Sequence, residues 1–216
     1  LAGVPGGSHE GRVARWLVGA LLAVGLMFLA GCGQRPPSLP RLGPHAVVLA
    51  FGDSLTYGTG ARADQSYPAI LSRLIGREVI NSGKPGEGSA QGLKRLRAAL
   101  GRQAPALLLL CHGGNDLLRR RPSKETEANL RLMVAVARER AVPVVLVGVP
   151  QPGVFLSPAD LYPRIAQDLA LPYEGEVLAD VLSDPRLKSD RVHPNAEGYR
   201  RIAEAIAALL SDAGAI

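Results

Sequence analysis

Ser54 is the residue around which chemistry can be built. It stands in Gly52-Asp53-Ser54-Leu55, directly after an apolar run, and a serine hydroxyl becomes a useful nucleophile only when a neighbouring base takes its proton. The chain has four histidines, His9, His45, His112 and His193. His193 is the candidate base, because an unperturbed imidazole titrates near neutrality and because of its setting, Asp190-Arg-Val-His193-Pro194. Asp190, three residues earlier, is placed to hold the other ring nitrogen and fix the tautomer, as in the Ser-His-Asp template of acyl transfer. Taken singly, His193 reads as a helix-entry histidine ahead of Pro194 and Asp190 as a turn aspartate. Together with Ser54 they favour a catalytic triad. His9 falls in the leader, His45 precedes the first strand, and His112 is expected to line the site or to be buried beside it.

The elements around these residues follow from hydrophobic periodicity. Short continuous apolar runs predict buried strands at residues 46–51, 106–111 and 143–149, with further strands at 78–81 and, more weakly, 171–173. Between them, helical spacing predicts helices over 65–75, 89–100, 123–140 and 162–170, and a last one opened by Asn195 and running to about Leu210. Ser123 followed by Lys124-Glu125-Thr126 is close to a capping box. Strands and helices in alternation imply one α/β domain with a parallel sheet covered on both faces. In such folds ligands bind beyond the carboxyl ends of the strands. That is where the polar, glycine-rich segments fall: Gly52 to Gly58, Asn81 to Ser89, and His112-Gly-Gly-Asn115-Asp116, joined by the downstream Asp190 to Pro194.

Gly-Asp-Ser-Leu, a glycine loop, Gly-Gly-Asn-Asp and Asp-x-x-His-Pro, in that order, resemble the SGNH (GDSL) hydrolases, and most of all their TesA-like thioesterase/lysophospholipase/arylesterase branch. The likeness runs from about His45 into the last helix and includes Ser66-Tyr67-Pro68 and the stretch from Gly86 to Leu96. It implies a flavodoxin-like three-layer α/β/α sandwich with a five-stranded parallel sheet in the order 2-1-3-4-5. It also implies an oxyanion hole made by the backbone N–H of Ser54, a loop glycine N–H and the Asn115 side chain. The loop glycine is assigned to Gly86, with Gly83 and Gly88 close by. Glu87-Gly88 stands where Asp-Thr is usual in the branch. Asp53 orients the serine loop or caps the turn after it. The implied activity is hydrolysis of carboxylic esters or thioesters, such as aryl or short-chain esters or lysophospholipids, through an acyl-enzyme. Two alternatives stay open: carbohydrate O-deacetylation on the same fold, and a non-catalytic envelope lipoprotein.

Ahead of this domain, Arg12 and Arg15 precede an uncharged apolar stretch from Trp16 to Ala30, the anatomy of a secretory signal. The stretch is short for a membrane span, which needs about 20 apolar residues. It closes on Leu29-Ala30-Gly31-Cys32, which resembles the bacterial lipobox; an uncleaved anchor helix is the alternative. The resemblance implies a signal peptide over 1–31, lipid attachment at Cys32, a tether over 32–44 and the hydrolase domain over 45–216. Gly33 after the cysteine points to the outer membrane. Residues 1–11 carry no Met and are long for such a region, so the start is expected further in.

Other classes find little support. The net charge is +6 but the basic residues are scattered and aromatics are only 4%, so a solvated basic surface is favoured over nucleic-acid binding. Cys32 and Cys111 sit in contexts too different for a disulfide, Cys111 reading as a small buried hydrophobe. There is no His-Glu-x-x-His, Cys-x-x-Cys or P-loop, so no metal and no cofactor are expected, and no Gly-x-Ser-x-Gly elbow of the α/β-hydrolase plan. A monomer is the expected state.

Overall fold

The computed structural model describes residues 36–153 and 156–216, besides Gly3. The signal segment and Cys32 lie outside the described residues, as do residues 154–155. Five parallel strands form the sheet: β1 (Val47–Gly52), β2 (Glu78–Gly83), β3 (Leu107–Cys111), β4 (Val144–Val147) and β5 (Tyr173–Glu174). Their order is β2-β1-β3-β4-β5, the order implied by the family resemblance. β1 and β3 are central, with Leu49 in register with both Ile80 and Leu108. All five residues of β3 are buried, which is why this strand is an uninterrupted apolar run: both faces are covered. Truncating one of its leucines to alanine is expected to cost about 2–5 kcal/mol.

The helices are α1 (Ser54–Tyr57), α2 (Tyr67–Ile75), α3 (Ser89–Gln103), α4 (Gly114–Leu118), α5 (Ser123–Arg138), α6 (Leu161–Asp168), α7 (Val177–Ser183) and α8 (Ala196–Asp212). They sort into two layers, α2 against α8 and α7 on one side, α3 against α5 and α6 on the other. This is the result expected when each strand-to-strand crossover is right-handed and the chain reverses direction across the sheet once, after β2. The long helices bury one stripe each: Leu130, Met133, Val134 and Ala137 on α5; Tyr199, Ile202, Ile206 and Leu210 on α8.

Three features differ from the sequence expectation. Pro122, not Ser123, is the N-cap of α5, and no side chain caps it; Ser123 is already inside the first turn, so the capping box does not form. The short helices α1, α4 and α7, and a two-residue antiparallel ladder of Pro150–Gln151 with Ser157–Pro158, carry too few turns to leave a periodic signal. Finally, the compact unit begins at Pro36. Leu39 N–H donates to Ala213 O and Leu42 N–H to Ala215 O, both at 2.8 Å, and Leu42 is buried, so this part of the segment ahead of His45 is packed against the chain's end.

Candidate active site

The topological switch lies between β1 and β3, where the crossovers leave the sheet in opposite directions and open a crevice. β1 delivers Asp53 and Ser54 to its edge. Asp53 is the N-cap of α1, its buried carboxylate accepting from Leu55 N–H at 3.1 Å, so the serine is carried on a tight strand-to-helix turn. β3 delivers His112 to Asn115 at the same edge, where α4 begins. The Asn115 amide donates to Asp53 Oδ2 at 3.3 Å and to Glu87 O at 3.1 Å. Three loops that are distant in sequence therefore meet at one asparagine. Burial pushes the Asp53 carboxyl up, against the opposing pull of His112, the Leu55 and Asn115 hydrogen bonds, and His193.

His193 arrives from a separate direction. Its Nε2 lies 3.0 Å from Ser54 Oγ and its Nδ1 2.7 Å from Asp190 Oδ2. With a neutral ring, Nδ1–H donates to the carboxylate and Nε2 accepts from the serine hydroxyl, a tautomer assigned by this network. Asp190 Oδ1 also accepts the N–H groups of Val192 and His193, at 2.8 and 2.9 Å. Partial burial pushes its carboxyl up, but the bonds from His193 and Val192 prevail and hold it below the usual carboxylate range. The loop is braced from behind: Ser189 N–H donates to His193 O, Asn195 N–H to Leu187 O, and Asn195 caps α8 by accepting from Gly198 N–H at 3.1 Å. From α8, Tyr199 O–H donates to Thr59 O at 2.8 Å, tying the helix after the histidine to the loop after the serine.

Above these groups opens a cleft of about 680 Å³, lined by Ser54, Asn115, Gly86 and His193 and walled by apolar side chains that include Leu55, Leu118, Val149, Pro152 and Leu182. All the site residues named from the sequence within the described residues (Ser54, Asp190, His193, Gly86 and Asn115) are brought together here. Asp53 both caps α1 and touches Asn115. His112 is fully buried, not lining the cleft. Among the described residues no group of histidine, cysteine and acidic side chains is arranged to hold a metal. Cys111 is a free, buried thiol, pushed well up by burial and by Asp53.

The sequence profile of the GDSL-like Lipase/Acylhydrolase family matches residues 50–201, which contain every site residue just described. The chain belongs to this family. An arylesterase of Vibrio mimicus is 30% identical over 171 residues, 74% of this chain and 86% of its own length. The Thioesterase 1/protease 1/lysophospholipase L1 of Escherichia coli (strain K12) is 28% identical over 201 residues, 89% and 91% of the two chains. Among solved structures, that of TesA has a TM-score of 0.71 at 26% identity, covering 77% of this chain and 99% of its own. AlinE4, an SGNH-hydrolase family esterase, has a TM-score of 0.63 at 32% identity, covering 80% and 98%. As a GDSL-like acylhydrolase the protein is a serine-dependent hydrolase of carboxylic esters.

Two residues were given no role in the sequence reading. Arg95, itself half-buried, pairs with the buried Glu87 carboxylate beneath the glycine loop. Neither lies in a catalytic motif, and their eight-residue separation is not a spacing that any single element brings into contact.

Proposed function

We propose that Ser54 is the nucleophile, His193 the general base and Asp190 the residue that orients it, in an esterase of the cell envelope. The reading rests above all on the continuous line from Ser54 Oγ through the His193 ring to Asp190, at 3.0 and 2.7 Å, on the floor of an apolar cleft. His193 Nε2 takes the Ser54 proton as Oγ attacks the acyl carbonyl. The tetrahedral oxyanion is held by the backbone N–H groups of Ser54 and Gly86 and by the Asn115 amide. Collapse expels the alcohol or thiol, which takes the proton from His193. Water, deprotonated by the same ring, then attacks the acyl-enzyme and restores Ser54. Of the two Asn115 bonds, the 3.3 Å one to Asp53 is the longer, and it is the one an oxyanion competes for.

Leu55, Leu118, Val149 and Leu182 in the cleft favour an acyl chain over a sugar, hence carboxylic esters such as aryl or short-chain esters or lysophospholipids over acetylated carbohydrate. The hydrogen-bonded trio argues against a retired, non-catalytic site. The leader reading makes residues 1–31 a signal peptide and Cys32 the lipid attachment point, followed by a tether to the domain. Two acyl chains suffice for stable anchoring, and Gly33 favours the outer membrane. Among the described residues no helix is long and apolar enough to cross a membrane.

The test is a p-nitrophenyl ester series from acetate to palmitate, with an acetylated oligosaccharide alongside, on wild-type protein and Ser54→Ala. Ester turnover that disappears in the variant is expected, with acyl length setting the optimum. Turnover that survives Ser54→Ala, or confined to the acetylated sugar, overturns the reading. For the anchor, mass analysis of the membrane-fraction protein should find a diacylglyceryl group on Cys32; an intact leader with an unmodified Cys32 contradicts it.

A further inference from the structure

Beneath the glycine loop the site holds charges that the proposed reaction does not use. The Glu87 side chain is 2% exposed. Arg95, on α3, donates to it from Nε at 3.0 Å and from Nη2 at 2.6 Å, and Lys84 Nζ stands 3.7 Å from its other oxygen. The buried His112 completes the set. Its Nδ1 accepts the Gly113 N–H at 2.9 Å, so the ring proton is on Nε2, which points at Glu87 Oε2 from 3.3 Å. The remaining Arg95 donors reach Ser82 O and Oγ at 3.1 and 2.8 Å and Gly52 O at 3.2 Å. The guanidinium lies 4.0 Å above the Phe51 ring, a cation–π contact. Gly92 is needed here for room, since a Cβ on it would stand 2.3 Å from His112 Nε2.

Such a cluster is a poor device for stability. Desolvating a carboxylate and a guanidinium costs several kcal/mol each, and apolar replacements of buried pairs are often neutral or better. What it does achieve is to fasten the ends of β1, β2 and β3 to one point. The residue at that point is also the neighbour of two oxyanion donors. Glu87 O accepts from the Asn115 amide at 3.1 Å, and the preceding Gly86 takes a φ of +75°, where an L side chain would be strained. Arg119 holds Gly86 O from the outside at 3.0 Å.

We infer that Glu87 is a positioning residue for the oxyanion hole: clamped by Arg95 and His112, it fixes the Gly86 N–H and the Asn115 amide in the geometry the tetrahedral intermediate requires. The inference rests on the oxyanion roles proposed above for Gly86 and Asn115. Glu87→Gln keeps the shape but withdraws the charge and offers an N–H₂ to two donors. It should lower kcat about 10- to 100-fold, the penalty of a sub-ångström misplacement of catalytic groups, with KM within about two-fold. Affinity for a boronic acid, which mimics the tetrahedral intermediate, should fall in proportion to kcat/KM. Glu87→Asp, which retains a carboxylate within reach of Arg95, should recover most of the loss. His112→Asn keeps an acceptor for the Gly113 N–H but cannot reach Glu87, and should show a smaller loss of the same kind; it is the decisive variant if Glu87→Gln does not fold. A folded Glu87→Gln or His112→Asn with kcat and boronate affinity both within two-fold of wild type overturns the inference, as does a loss carried by KM alone. Asn115→Ala measured alongside separates the two levels. If it lowers kcat and Glu87→Gln does not, only the positioning role falls. If neither lowers it, the oxyanion assignment itself has failed.

Discussion

The two halves of the site are built on opposite principles. On one side, Asn115 and the glycine loop sit over a bracket of Glu87, Arg95 and His112 whose carboxylate and imidazole are buried. On the other, Asp190 is 52% exposed in its side chain and His193 18%, carried on a loop held mainly by backbone hydrogen bonds and the Asn195 cap. The difference follows from the tasks proposed for them. Donors for a developing oxyanion act by being fixed before the charge appears, and they act most strongly where water is excluded. A general base must exchange protons with substrate and water in each cycle, so its pair stays within reach of solvent. The rigid half is paid for in desolvation, and the more exposed half bears less of that cost.

Four expected outcomes sharpen or break this contrast. The largest lies on the exposed half. Ser54→Ala should lower kcat by about 10⁴- to 10⁶-fold, since members of a nucleophile–base unit fail together, and His193→Ala should match it closely; steady-state turnover checks both, and a His193→Ala loss under ten-fold breaks the pairing. On the buried half, Asn115→Ala should cost about 10²- to 10³-fold in kcat, the usual effect of one oxyanion donor, with KM little changed. Next comes stability. Burial pushes the Glu87 carboxyl up, but the His112 and Arg95 hydrogen bonds overcome it and bring the group from 4.5 down to about 2. A carboxylate with a depressed folded pKa stabilises fully above its unfolded value, and the contribution is lost as pH falls towards the folded one. The Tm gap between wild type and Glu87→Gln should therefore be constant above about pH 5 and shrink between there and pH 2; a gap independent of pH contradicts it. Smallest of all, Cys111 should not react with a thiol reagent in the native protein and should react at once in denaturant, because burial suppresses its thiolate.

Most of the sheet was legible because its strands are short apolar runs between helices with clear stripes. Residues 46–51 and 106–111 foretold β1 and β3 within a residue. Strand order came only from the resemblance, since five similar strands carry no pairing information in their patterns. α1, α4 and α7 were invisible because four to seven residues do not complete two turns. Ser54 and Asn115 were legible because they fall just after β1 and β3, where an apolar pattern stops and polar residues need a reason, and Asp190 and His193 because their short polar motif stands directly ahead of the last helix. The bracket was not. Glu87 was legible only as a departure from the branch pattern, and Arg95 lies on a helix whose surface carries other cations, Lys94 and Arg97. Only the fold shows that Arg95 alone turns inward to a buried carboxylate.

The most direct measurement is to treat the wild-type protein with an activated alkylphosphonate and locate the adduct by peptide mass analysis. One adduct on Ser54, absent from Ser54→Ala and formed far more slowly in His193→Ala, is the result expected of a nucleophile activated by His193. An adduct on any other residue, or ester hydrolysis that continues undiminished once Ser54 is fully phosphonylated, would contradict it.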